Sequence, residues 1–237
     1  MLSRLLVVGL LAGLLAGLAI AALQHFVTTP LIIAAEGYEV PETLVPAVLA
    51  PGPVGHTHPA NVDGAEWKPE DGLQRTAFTS LATIASSIGF SMILLAAMLA
   101  AGDQISARTA FGWGVAAFVA TGLAPALGLA PLLPGSAAGP LLARQVWWAG
   151  TAFATGGALW LLLRGDSILG KIAGIALLVA PHLIGAPHEA AFESRAPAEL
   201  AARFVAASLT IQAALWIVSG LVAGILWGRF GQRPAHG

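Results

Sequence analysis

His56-Thr57-His58 sets two imidazoles two residues apart, and His182 and His188 each stand directly after a proline. In an extended segment alternate side chains share one face, so His56 and His58 can close on a single cation. Imidazole is a ligand for divalent transition metals, and Glu36, Glu39, Asp63, Glu66, Glu70 and Asp71 add carboxylates along the same stretch. The 237 residues include no cysteine and three methionines. Thiol nucleophiles, disulfides and Cys-type zinc sites are therefore excluded, and a metal site must use imidazole, carboxylate, carbonyl or water. Neutral imidazole binds a metal and imidazolium does not, so binding through these residues weakens as pH falls through about 6.5. The plainer account of His-x-His is a solvated loop rich in proline and glycine.

The elements that must carry these histidines are set by composition. Hydrophobic residues make up 57% of the chain and charged residues 10%, against roughly a quarter charged in soluble domains. Net charge is −1, which gives no case for nucleic acid. A span takes about 20 mostly apolar residues, and six runs qualify: 4–27, 77–101, 109–130, 145–163, 167–186 and 204–228. In lipid only a helix satisfies its own backbone groups. The predicted fold is therefore all-α, with six transmembrane helices in a single membrane domain. The fifth run is short and interrupted by Pro181 and Pro187. The first follows Arg4 as a signal sequence would, but it is long and leads into Gln24-His25 rather than a small-residue cleavage site, so it reads as a retained span.

Arg4, Arg108, Arg164, Lys171, Arg229 and Arg233 fall in short connections on one side, and Lys68, Arg75, Arg144, Arg195 and Arg203 in longer ones opposite. The positive-inside rule then puts both termini in the cytoplasm. Residues 28–76 become an outer loop. His25, His56, His58, His182 and His188 gather on the outer side, and His236 stays inside. A helix advances about 1.5 Å per residue, so His182, about 14 residues into its run, lies about 21 Å through a core about 30 Å thick. Ionisable groups at such depth mark ion or proton pathways. The plainer account is a neutral imidazole bonded to a neighbouring helix, for which Gln212 is available; Gln24 and Gln145 are further polar groups in or near spans.

Internal similarity separates scaffold from site. "LQRTAF" (73–78) matches "LARQVW" (142–147), "GDQISAR" (102–108) matches "GDSILGK" (165–171), and "APALGLAP" (124–131) matches "APHLIGAP" (180–187). Spans two–three (77–130) and four–five (145–187) are thus predicted to be two copies of one hairpin in the same orientation. Pro125 and Pro181 are equivalent and are predicted to bend their helices. His182 has Ala126 opposite it, so the histidine is an addition to the scaffold. Gly9, Gly13 and Gly17 in the first span and Gly220, Gly224 and Gly228 in the sixth form small-residue faces predicted to pack those two helices together. Arg75, Arg144 and Arg203 read as snorkelling cations, and Trp113, Trp147, Trp148, Trp160 and Trp227 as interfacial belts.

Enzyme motifs fail. His188-Glu189 begins like H-E-x-x-H, but Ala190, Ala191 and Phe192 follow and the second histidine is missing. A phosphate loop of the form G-x-x-x-x-G-K-[ST] is absent as well. No enzyme and no permanently bound cofactor is predicted.

"EDGLQRTAFTSLA" (70–82), "LAPALGLAPLLPG" (123–135), "LLARQVWW" (141–148), "APHLIGAPHEA" (180–190) and "PAELAARFVAASL" (197–209) together resemble the CbtA family, the probable cobalt transporter subunits of bacteria. The likeness runs from the first span to the last. It implies a multi-pass protein of the bacterial inner (plasma) membrane, associated with cobalamin metabolism. It also implies a partner, a small CbtB-type single-span subunit with a histidine-rich segment. By resemblance, the His-x-His loop and the Pro-His segment match the family's histidine-bearing places. The ligand chemistry alone does not select cobalt(II), because imidazole and carboxylate also suit nickel(II) and zinc, and nickel and copper stand above cobalt in ordinary affinity. The leading expectation is divalent cation uptake, with His56 and His58 gathering the ion and His182, His188 and His25 forming its entrance. The alternatives are a non-transporting scaffold that assembles a small partner channel, and uptake of nickel or another dication.

Overall fold

Glycine and serine turns cut the apolar chain into helices. Ser106 and Ser167 each cap the helix that follows, accepting the Thr109 and Gly170 amide N–H at 3.1 and 3.0 Å. Gly72, Gly102 and Gly185 take positive φ, where a side chain would be strained. A computed structural model of the chain describes residues 1–38, 69, 72–134, 136, 139–188 and 196–231. Their regular structure consists of α1 (Leu2–Val27), α2 (Thr29–Glu36), α3 (Leu73–Ala100), α4 (Ala107–Phe118), a π-helical turn (Val119–Leu123), α5 (Ala124–Ala126), α6 (Leu141–Arg164), α7 (Ile168–Ile184) and α8 (Ala198–Gly231).

Five of these units are long and apolar enough to cross a membrane: α1, α3, the continuous Ala107–Ala126 unit, α6 and α8. The remaining apolar helix, α7, has 17 residues, about 25 Å at 1.5 Å per residue. It stops where Gly185 turns to φ +84°, short of the expected boundary at 186. The expected loop 28–76 is partly helical, because α2 extends the chain after α1. His56 and His58 lie outside the described residues.

Close approaches give the helices their directions. A Cβ on Gly9, Gly13 or Gly17 would meet Met92, Ile88 or Ile84, so α3 runs antiparallel to α1. Gly220 and Gly224 meet Ala110 and Ser106, so α8 runs antiparallel to α4. Gly174 of α7 lies against Ala158 and Leu162 of α6. The expectation that the two glycine faces pack against each other is thereby overturned. A glycine face is filled by whichever backbone comes nearest, and here α3 and α4 do so. Helices α1 and α8 also touch, around a core that includes Val8, Leu95, Met98, Trp216 and Trp227. The Arg4 guanidinium bonds the Trp227 carbonyl and lies 4.0 Å from the Trp227 ring centre, joining the start of α1 to the end of α8.

Polar side chains tie the bundle at other levels. Ser87 and Ser219, both fully buried, bond across α3 and α8 at 3.1 Å. The Thr83 hydroxyl donates to Gln24 Oε1 at 2.6 Å, so Gln24 serves packing. Arg75 pairs with Glu36 at the end of α2, and Arg203 with Glu199 at 2.7 Å along α8.

The two sequence-similar segments pack differently. Helices α6 and α7 lie against each other as a hairpin, whereas α4 lies mainly on α8. The α6–α7 hairpin leans on the bundle of α1, α3, α4 and α8 chiefly through the π-helical turn and α5, and among the described helices α7 touches only α6.

Candidate functional site

The alternating directions put the described histidines at one end. His25 near the end of α1, His182 near the end of α7 and His188 beyond it all lie away from the end that carries Met1 and Gly231. They do not converge. Helices α1 and α7 share no contact, and the exposed His25 ring lies edge-on to Phe26 at 5.2 Å. His188 Nδ1 is 2.7 Å from the Ala186 carbonyl. Among the described residues, no three His, Cys, Asp or Glu side chains are grouped so as to hold a metal.

His182 is half-buried and is held by an aromatic neighbour rather than by Gln212. Its ring stands edge-on to Trp147 of α6, centroids 6.1 Å apart at 71°. The Trp147 indole N–H donates to the Pro181 carbonyl at 3.3 Å. The same indole covers Gly128, where a Cβ would be 2.4 Å from the ring. Trp147 therefore fixes the end of α7 against α6 and the chain after α5. The belt reading of Trp147 missed this role.

Two cavities flank the seam between hairpin and bundle. One, of about 570 Å³, is lined by Thr121, Arg144, Gln145, Trp148 and Gln212 among others. The second, of about 820 Å³, runs along α4 and α6 to the end that carries the termini, where Asp103, Arg108 and Arg164 line it. Thr121 lines both. Sequence reading named Gln145 and Gln212 as polar groups in spans but had no signal for Thr121, since a π-helical turn leaves no periodic mark.

Asp103, in the turn before α4, bonds the Arg164 guanidinium and accepts the Trp113 indole N–H at 2.7 Å. Arg164 also lies 4.6 Å from the Trp160 ring centre. The Arg164 hydrogen bond, followed by that of Trp113, holds the Asp103 carboxyl below its usual range. A lowered carboxylate pKa contributes stability that is present above the ordinary value and is lost as pH falls through the lowered one. Between about pH 5 and 8, where histidine titrates, this contact is constant. Asp103→Asn should therefore leave the shape of any uptake–pH profile in that window unchanged. Because the pair is partly exposed, the same variant should cost about 1 kcal/mol or less, read as a small drop in thermal midpoint in detergent.

A protein-family model described as probable cobalt transporter subunit (CbtA) matches residues 2–228, nearly the whole chain. No curated protein and no solved structure gives a match. Five helices long and apolar enough to cross a membrane agree with that match, and the chain belongs to the CbtA family of probable cobalt transporter subunits.

Proposed function

We propose that this chain is the membrane subunit that takes cobalt(II) into the bacterial cell across the inner membrane, with both termini cytoplasmic. In this reading α7 is a sixth, shorter span, and 77–130 and 145–187 descend from one duplicated hairpin. His56 and His58, with the acids around them, gather the ion. His182 receives it at the membrane, and His188 and His25 serve the same outer face. A small single-span, histidine-rich subunit of the CbtB type delivers metal to this chain. The observation that carries the reading is family membership over residues 2–228, in a chain whose His182 is anchored at a proline-marked helix end by Trp147. A bacterium with its own cobalt uptake removed, and given this chain alone, should accumulate radiocobalt in preference to nickel and zinc.

The scaffold reading draws on one observation: no described group of three metal-ligating side chains. Reconstitution into vesicles with and without the small subunit separates the two. Flux from this chain alone supports transport, and flux only with the subunit, unaffected by His182→Ala, supports the scaffold.

A further inference from the structure

We propose that the seam between the α6–α7 hairpin and the α1–α3–α4–α8 bundle is the route of the cation, with its neck at Thr121 and Gln212. The inference rests on the transport reading and assigns that reading a place. The two cavities extend toward opposite ends of the molecule and share Thr121, so a side chain on the π-helical turn is their common wall. Backbone irregularity of this kind within a membrane helix is tolerated where it lines a cavity, and π-turns are frequent at functional sites. The Ala124 N–H bonds the Val119 carbonyl. Pro125, next in line, has no N–H to give and leaves a carbonyl of the turn without its helical donor. Short or proline-interrupted segments at corresponding places in a repeat point to transporter binding sites. Here those segments are α4–α5 with Pro125 and α7 with Pro181.

The neck is lined by neutral oxygen. The Thr121 hydroxyl spends its proton on the Ala117 carbonyl at 2.8 Å, which leaves its lone pairs as acceptors. Gly122 lets Gln212 come close, since a Cβ there would be 2.8 Å from Gln212 Oε1. Uncharged oxygens hold a dication weakly enough for it to leave again, as conduction requires. At the end that carries the termini, Arg164 of the hairpin and Asp103 of the bundle close the seam. At the other mouth Arg144 lines the cavity, and its charge sets the barrier to entry.

The native chain has no cysteine, so an introduced thiol is alone. Thr121→Cys probes the neck, and Gly156→Cys probes the larger cavity at a position where a Cβ meets no atom within 4 Å. Leu18→Cys, on an exposed apolar face of α1, is the lipid-facing control. A cysteine thiolate in water attacks the sulfenyl sulfur of a sulfonated methanethiosulfonate, forming a mixed disulfide and releasing methanesulfinate. The reagent should label the two seam cysteines at least about tenfold faster than Leu18→Cys, with cobalt slowing the reaction at Thr121→Cys. Labelling should also cut cobalt uptake in each seam variant at least about tenfold relative to the same variant untreated. Seam cysteines as inert as the control, or labelled with no loss of uptake, overturn the route while leaving transport standing. If the cysteine-free parent moves no cobalt, the transport reading falls and the route falls with it. Gln145→Cys, in the smaller cavity, replaces Thr121→Cys if that variant does not fold, with the same outcomes.

Discussion

Gly13→Ala should prevent this protein from accumulating folded in the membrane. A Cβ on Gly13 would stand 2.2 Å from Ile88 Cα, 2.5 Å from Ile88 N and 2.8 Å from the Ser87 carbonyl oxygen. All three are backbone atoms of α3, so no rotamer change relieves the clash, and α3 must move away from α1. That movement also pulls Ser87 from Ser219, the buried link between α3 and α8. Overpacking by a methyl group typically costs about 1–3 kcal/mol. A clash with helix backbone at the centre of the tightest pair belongs at about 3 kcal/mol or more. Two controls keep the effect local. Gly112→Ala adds the same methyl where nothing lies within 4 Å and should be neutral. Gly9→Ala meets Met92 Cγ at 2.7 Å, an atom of a flexible side chain, and should be intermediate. Size-exclusion profiles and thermal midpoints in mild detergent rank the three. Gly13→Ala with the behaviour of Gly112→Ala would show that the α1–α3 contact does not set stability.

Hydropathy placed every long helix because lipid leaves a backbone no alternative, and the cap and glycine positions follow from the same local chemistry. What local chemistry does not contain is the neighbour. The spacing of Gly9, Gly13 and Gly17 defines a face but not its partner, and α3 rather than α8 occupies it. Likewise, that His25 and His182 share one end of the bundle can be read from the alternation of the helices. That α1 and α7 never touch depends on how the hairpin leans on the bundle. Sequence marks Pro125 and Pro181 alike, as places where a helix should bend. Yet one produces a π-helical turn that joins two cavities, while the other sits inside a continuous helix and offers its carbonyl to Trp147. The repeat predicts equivalence at both places, and the different packing of α4 and α7 removes it. His56 and His58 lie outside the described residues, so the His-x-His pair remains an expectation of sequence alone.

His182→Ala should lower cobalt uptake at limiting metal by about tenfold or more, the effect of losing roughly 1.4 kcal/mol of binding, with most of the rate recovered at saturating metal. In the transport reading the substitution removes a ligand without unpicking the fold. His182 is half-buried, its contact is an edge-on ring, and the hydrogen bond that secures this end of α7 runs from Trp147 to Pro181. Protein level and thermal midpoint should therefore stay near the parent's. Trp147→Phe supplies the converse, since it keeps an aromatic ring beside His182 but deletes the N–H that reaches Pro181. If His182 merely packs, the two variants should lose uptake in proportion to lost stability. If it binds metal, His182→Ala should lose uptake alone, and Trp147→Phe should lose stability first. Unchanged uptake in His182→Ala at limiting metal, at normal protein level, would take His182 out of the cation's path and leave capture to residues 28–76.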